Sequence, residues 1–229
     1  HARHAYERTV FMSEEAQLRR PNHQIKRMAD RGRYDRTSIY DVPDASLIGH
    51  VGFVHDGFPV VFPMVIWRSG DYVHIHSANK GRLASVCAGA NLCISIAHLD
   101  GLVLARSAYN HSMNYRSLVV HGVAEAVLDA DAKLAALRAF VERLYPGRWE
   151  ALRPIKPNEL QATVVLLIAL DRAAVKVRTG MPGDELDDPE WQIWTGVLPV
   201  ETRLGDPMPD PTMPGGLPIP DYVRRMAPL

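Results

Sequence analysis

Short apolar runs of strand character recur through the middle of the chain, and turn residues separate them. Leu47 to His55 and Phe58 to Trp67 flank Asp56-Gly57, a dipeptide that tolerates the positive φ values of a tight hairpin turn, so the two runs predict a β-hairpin. Pro59 and Pro63 in the second run each lack a ladder donor, which predicts an edge position or a bulge. Ser69-Gly70-Asp71 turns the chain into a third strand, Tyr72 to His76. From Asn79 to Gly89 the period becomes helical, with Leu83, Val86 and Cys87 three and four apart. Leu92 to Ala97 returns to strand character. A turn at Asp100-Gly101 and a long polar stretch then lead to a largely buried strand from Arg116 to Leu128.

Two helices have capping signals. Asp35 opens a short one with Ile39 and Val42 one turn apart, limited by Pro43. Asp129 or Asp131 opens a longer one, Ala130 to Tyr145, where Leu134, Leu137, Val141 and Leu144 form one apolar stripe before Pro146-Gly147 ends it. Thr163 to Arg178 reads as one long final strand, because it is rich in β-branched residues and alternates late. Strands thus predominate with helices between them, which predicts a mainly β fold, a closed or nearly closed antiparallel barrel with peripheral α-helices.

Composition adds an arm and a tail. Residues 1–33 carry eight basic and four acidic side chains without a sustained apolar period, and read as a basic N-terminal arm. Residues 34–198 hold the barrel. Residues 199–229 contain eight of the seventeen prolines, which predicts an extended tail lying against the domain or a second subunit. The 26 basic and 26 acidic side chains cancel, so no global field calls for nucleic acid or an anionic membrane as partner. The longest apolar run, Ala162 to Leu170, is about half of the roughly 20 residues a spanning helix needs. No charged-then-apolar leader pattern opens the sequence, and Cys87 and Cys93 read as a pair of buried thiols. The expected location is cytoplasmic.

Candidate chemistry gathers in two polar clusters between strands: His74, His76, Ser77, Asn79, Lys80 and Arg82, then Asn110 to Ser117. His74 and His76 share one face of a strand and could ligate a metal if His98, His111 or His121 supplied a third nitrogen. Nothing in the spacing demands it, and no metal site is assigned. Ser77, Asn79, Lys80, Gly81 and Arg82 bring hydroxyl, amide and cationic donors to a strand end and a helix start, a combination suited to a phosphate. The alternative is a solvated loop. The dinucleotide-binding glycine fingerprint, the P-loop, the nucleophile elbow and the H-E-x-x-H zinc motif are all missing from the sequence.

The strings HSANKGR (76–82) and DGLVLARSAYNHSMNYRS (100–117), together with Arg33-x-Asp35-Arg36 and the Leu47 to Trp67 hairpin, resemble the flavin-nucleotide-binding family related to pyridoxamine 5′-phosphate oxidase, including its nitroimidazole-resistance type. The resemblance spans roughly residues 33–180. It implies an FMN-binding split β-barrel and a homodimer with FMN in clefts between the subunits. It also implies that Ser77, Lys80 and Arg82 hold the FMN phosphate with His76 at the lip. Pro63 at a bulge, Met64 and Val65 would lie along the isoalloxazine edge, and Tyr115, Arg116 and Ser117 would complete the site across the interface. Arg116 is the candidate cation for the anionic reduced ring, with a plain inter-subunit ion pair as its other reading.

Two departures set the chain apart from the true oxidases. Arg203-Leu204-Gly205-Asp206 lacks the histidine of their C-terminal Arg-x-His element, and Phe62 stands where they carry a basic flavin contact. The expected activity is therefore an FMN-dependent oxidoreductase other than a pyridoxamine-phosphate oxidase, passing electrons from a small-molecule donor to a small acceptor. His76 and His111 are the candidate proton donors. The alternatives are a flavin-binding or storage protein without turnover, and a split barrel holding haem or deazaflavin.

Overall fold

The computed structural model describes residues 24–185 and 190–226. The elements, in chain order, are β1 (Gly32–Arg33), α1 (Arg36–Asp44), β2 (Ile48–His55), β3 (Phe58–Ser69), β4 (Tyr72–Ala78), α2 (Arg82–Cys87), β5 (Asn91–Leu104), β6 (Ser112–Val123), β7 (Glu125–Ala126), α3 (Ala130–Leu144), α4 (Pro157–Ala162), β8 (Thr163–Ala169), β9 (Ala173–Arg178), β10 (Gly196–Pro199) and α5 (Asp221–Arg224). The antiparallel sheet runs β1-β9-β6-β5-β2-β3-β4-β8-β7, with β10 added to β5. It curls without closing, as a split barrel.

Local chemistry sets the turns. The Asp35 carboxylate accepts from the Ser38 amide at the start of α1, and Asp129 accepts from Ala132 at the start of α3. Asp56 and Gly57 take φ of 50° and 79° between β2 and β3, the twist a two-residue hairpin requires. Inside the curl, Val51, Ile66, Val73, Ile75, Ile94, Ile96, Leu118, Val120, Leu166, Ile168 and Val175 form the core with Ile39 and Val42 of α1. A second cluster forms outside the curl, where Ala136 and Leu137 of α3 cover Trp67 and Val165.

Three expectations are corrected. Thr163 to Arg178 is two strands joined by a 3₁₀ turn at Leu170–Arg172; β8 pairs with β4 and β9 with β6, at opposite ends of the ladder. The stretch after Asp100-Gly101 is no loose connection, because β5 continues to Leu104 and β6 begins at Ser112, with a register shift between Leu99 and Gly101. Pro63 lies at no bulge, since β2 and β3 stay in step from Ile48↔Val65 to His55↔Phe58. The edge reading explains both prolines: β4 pairs with β3 only over Ile66–Ser69, so Pro59 and Pro63 occupy the half of β3 whose second edge is unpaired.

Among the described residues of the basic arm, Arg27 offers its carbonyl to Lys176 Nζ at 2.9 Å and β1 pairs with β9; residues 1–23 lie outside the described part. The run into the tail and the tail itself each lean on the domain. β10 pairs with Gly101–Leu104, and the Tyr222 hydroxyl accepts from Arg148 at 2.7 Å. Cys87 is a buried free thiol and Cys93 a half-buried one, and burial raises both pKa values. No helix among the described residues is long and apolar enough to cross a membrane.

Candidate functional site

The split in the sheet sets the site. β2 pairs with β5 only at His50–Gly52 against Cys93–Ser95. Further along the same edge β10 takes over at Gly101, and the Val200 amide donates to the Asp100 carbonyl. Between Ser95 and Asp100 that edge of β5 has no strand partner, and a cavity of about 740 Å³ opens there. Ile48 and Ala97 flank it, Arg116 and Asp100 lie at its base, and Val200 to Arg203 of the tail make its far wall.

The outer face of β3, β2, β5 and β6 runs past this cavity. Strand register places Val65 beside Ile48 on one side of the split and Ala97, Ser117 and Lys176 in line on the other. Ile48, Val54 and Val61 on this face are 55%, 67% and 61% exposed, too apolar and too open for a face that only meets water. Pro63, exposed, and Val65, half-buried, belong to it. Met64 points the other way and packs on the core.

At its β4 end this face passes under α3. His74 is buried and stacks on Trp67 at 5.3 Å between ring centres, with the planes 21° apart. His76 is half-buried, 4.7 Å from the Phe140 ring and 5.9 Å from Trp67. Trp67 Nε1, His74 Nδ1 and His76 Nδ1 are buried without a hydrogen-bond partner. Burial drives His74 down to about 4 and lowers His76 as well, so both rings are neutral at pH 7. His76 thus lies where the cover of α3 ends and the open face begins.

The loop after β4 is tight. Gly81 donates to the Ala78 carbonyl at 2.9 Å, Asn79 donates to Ala162 O through its amide and to Gln161 O through its side chain, and a Cβ on Gly81 would come within 3.1 Å of Ser77 Oγ. The loop amides of Asn79 and Gly81 are therefore spent internally. Ser77 remains half-buried and Lys80 exposed, and the Arg82 side chain lies outside the described part.

Arg116 holds Asp100 in a two-pronged pair, Nε to Oδ2 at 2.9 Å and Nη2 to Oδ1 at 2.8 Å. Hydrogen bonding to this carboxylate raises the Arg116 pKa. This pair lies within one chain, at the base of the cavity, and is not the inter-subunit pair that was the other reading of Arg116. Ser117 Oγ donates to the Lys176 carbonyl at 3.3 Å, and half-buried Tyr115 pairs with Arg178 and Leu99 across the strands.

The structure therefore brings Pro63, Val65, His76 and Ser117 onto one face and Arg116 to the cavity beside it. It leaves Met64 inward. His111 is exposed with Nδ1 2.8 Å from the Ser107 carbonyl, six residues from Ser117 on the same strand path, about 20 Å at strand rise. Among the described residues no three His, Cys, Asp or Glu side chains gather as a metal set. Asp100 and the Val200–Arg203 wall were not anticipated. The Gly-Val-Leu-Pro run of β10 carried a faint strand signal that its proline-rich surroundings concealed.

A family model described as pyridoxamine 5′-phosphate oxidase matches residues 35–177. The chain belongs to this family. No protein of curated function matches it. Two solved members of similar length share its fold closely. The flavocytochrome Anf3 from Azotobacter vinelandii is 38% identical, with 90% of this chain and 98% of that one covered and a TM-score of 0.86. The FAD and heme binding protein from Mycobacterium smegmatis is 35% identical, covering 86% and 98%, with a TM-score of 0.83. A candidate 5-nitroimidazole antibiotic resistance protein from Bacteroides thetaiotaomicron shares the fold at 21% identity, 64% and 86% coverage and a TM-score of 0.54. Within the oxidase family, then, this chain carries the split barrel together with a tail that walls the cavity.

Proposed function

We propose that this family member binds a flavin along the open outer face of β2, β3, β5 and β6 and relays electrons through it from a small reduced donor to a small acceptor. The supporting observation is the meeting of an exposed apolar sheet face with a 740 Å³ cavity based on Arg116 and Asp100. A flat ring fits the apolar strands, and a cation at the cavity base fits the ring edge that gains charge on reduction. The likeness to a flavocytochrome and to an FAD and heme binding protein, each above 30% identity over most of the chain, favours the same reading. A second copy of the chain covering this face would form the homodimer and complete the cleft, bringing the Ser77/Lys80/Arg82 end of one protomer toward Arg116 and Ser117 of the other.

A bound flavin supplies hydride and single-electron chemistry on its own ring. The chain's part is to position and to tune. Val65, Pro63 and Ile48 present the surface, Ser77, Lys80 and Arg82 the phosphate contacts, and Arg116 the charge. Asp100 offsets Arg116 and so sets how much of that charge a ligand meets. His76, at the margin of the open face, is a neutral ring that would relay a proton by taking one up as it gives one, and exposed His50, which pairs with Pro63 on the face itself, is the other imidazole there. The flavin is FMN in this reading, with FAD as the variant favoured by the name of the mycobacterial relative.

Haem is the second group to consider, because one relative described above is a flavocytochrome and the other an FAD and heme binding protein, and one structural observation fits it. His76 is a neutral imidazole at the margin of α3, braced by Phe140 and Trp67, the donor type that haem iron takes. The absorption spectrum of the purified protein separates the readings. Flavin bands, a Soret band or both are expected, and the mass of the extracted chromophore tells FMN, FAD and deazaflavin apart. If reconstitution with FMN, FAD and haem leaves the protein colourless, the reading is wrong. Anaerobic titration with NADPH then separates turnover, in which the flavin bleaches, from storage, in which it does not.

A further inference from the structure

Along β5 the side chains of Leu92, Ile94 and Ile96 alternate into the core, and half-buried His98 continues that row past the core to the cavity. Among the described residues it is the one histidine that lines the cavity. The end of α1 fixes its ring. There the Ser46 amide donates to the Pro43 carbonyl at 3.1 Å, and the Val42 carbonyl, another of the helix-end carbonyls, accepts from His98 Nε2 at 3.0 Å. A carbonyl can only accept, so Nε2 carries the proton of the neutral ring and Nδ1 the lone pair. A second proton would enter at Nδ1 and leave the Val42 bond intact. The ring can therefore take up and release a proton without turning. Arg116 lies directly across the strand pair from His98, and Asp100 first, then Asp41 of α1, raise the Arg116 pKa. Glu201 and Arg203 stand on the far wall. Charges of both signs thus offset one another around a lining that Leu47, Ile48 and Val200 make largely apolar. Such a cavity suits an uncharged, flat molecule better than an ion.

We propose that His98 delivers the proton when an uncharged acceptor of the quinone type is reduced in this cavity. This role rests on the flavin reading above, which supplies the electrons. A quinone that gains a hydride at one carbonyl oxygen must gain a proton at the other to leave as the hydroquinone. The hydride originates in the reduced donor. The proton comes from Nδ1 of the protonated ring, which returns to its neutral Nε2–H form and takes another proton from water. His50 and His76 belong to the open face and its margin, and the proton source of the cavity itself is His98.

Two measurements test it. In the full chain without chromophore, the proton–nitrogen correlation spectrum of the histidine rings should show His98, identified by its loss in His98→Gln, in the Nε2–H form; an Nδ1–H form overturns the proposal. The chain reconstituted with FMN and reduced anaerobically is then mixed with menadione, a quinone, or with hexacyanoferrate(III), which takes electrons and no proton. The side-chain amide of His98→Gln can still donate to Val42 but has no proton to transfer. Its menadione reduction at saturation is expected to fall about a hundredfold with KM near that of wild type, while its hexacyanoferrate(III) reduction stays unchanged. Equal menadione rates in the two proteins, or an equal loss with both acceptors, overturn the role of His98. If the wild type reduces hexacyanoferrate(III) but not menadione, the quinone proposal fails alone. If it takes up no flavin, or reduces neither acceptor, the flavin reading fails and this role with it. If His98→Gln does not fold, His98→Asn makes the same comparison.

Discussion

Replacing His74 by Phe should change how the protein responds to acid. His74 is buried against Trp67, and burial lowers its pKa from 6.5 to about 4. In the unfolded chain the ring takes a proton below 6.5, whereas in the folded chain it stays neutral down to about 4. Over that window the unfolded state binds more protons, so stability is present above 6.5 and is lost as the pH falls. At about 1.4 kcal/mol for each pH unit between the two values, the loss is roughly 2.5 kcal/mol by pH 4.5. For a chain of this size that is about 5–10 °C in Tm. Urea denaturation of wild type and His74→Phe at pH 7, 6, 5 and 4.5 measures it. The difference between the two profiles isolates this ring from the other histidines, and from Asp35 and Asp71, whose lowered pKa values make them lose their contributions at lower pH. The variant should also be no less stable at pH 7, since it removes an unpartnered buried nitrogen. Parallel profiles for the two proteins between pH 7 and 4.5 would refute the reasoning.

Three further outcomes follow from the site. Changing Lys80 and Arg82 together to Ala should weaken flavin binding about tenfold or more, read by fluorescence titration of the apoprotein; equal affinity removes the phosphate role from that loop. Asp100→Asn should raise the flavin midpoint potential by about 30 mV, roughly 1.4 kcal/mol for two electrons, because Arg116 then keeps its full charge at the cavity base; spectroelectrochemistry checks it, and a lower potential contradicts it. Gly101→Val should release the tail, since a Cβ there would lie 2.9 Å from Val197 Cγ1 and 3.1 Å from the Leu198 carbonyl. Limited proteolysis between residues 196 and 220 should then speed up while the barrel stays intact.

Much of the fold was legible because local chemistry decided it. Asp35 and Asp129 capped the helices they were expected to cap, and Asp56-Gly57 turned the hairpin. The final strand was misread because Leu170–Arg172 breaks it with a turn that closes on its own backbone and carries neither glycine nor proline. The site was legible in part. Alternation along a strand placed His74 and His76 together, but whether that face met α3 or solvent depended on pairings far along the chain. The roles of Asp100 and β10 rested wholly on such pairings.

The turn at Leu170–Arg172 bears on how the chain reaches its native state. Hairpins such as β2–β3 and β5–β6 unite neighbouring segments and can form early, at low loop-closure cost. The partners of β8 and β9 lie far back in the chain, His76 with Val165 and Ser117 with Lys176. Because so few residues separate β8 from β9, docking one brings the other to its place, and two distant pairings become one cooperative late step. A chain reopened at Asp171 by circular permutation would lose that coupling, and its two halves of the ladder would assemble as separate kinetic phases.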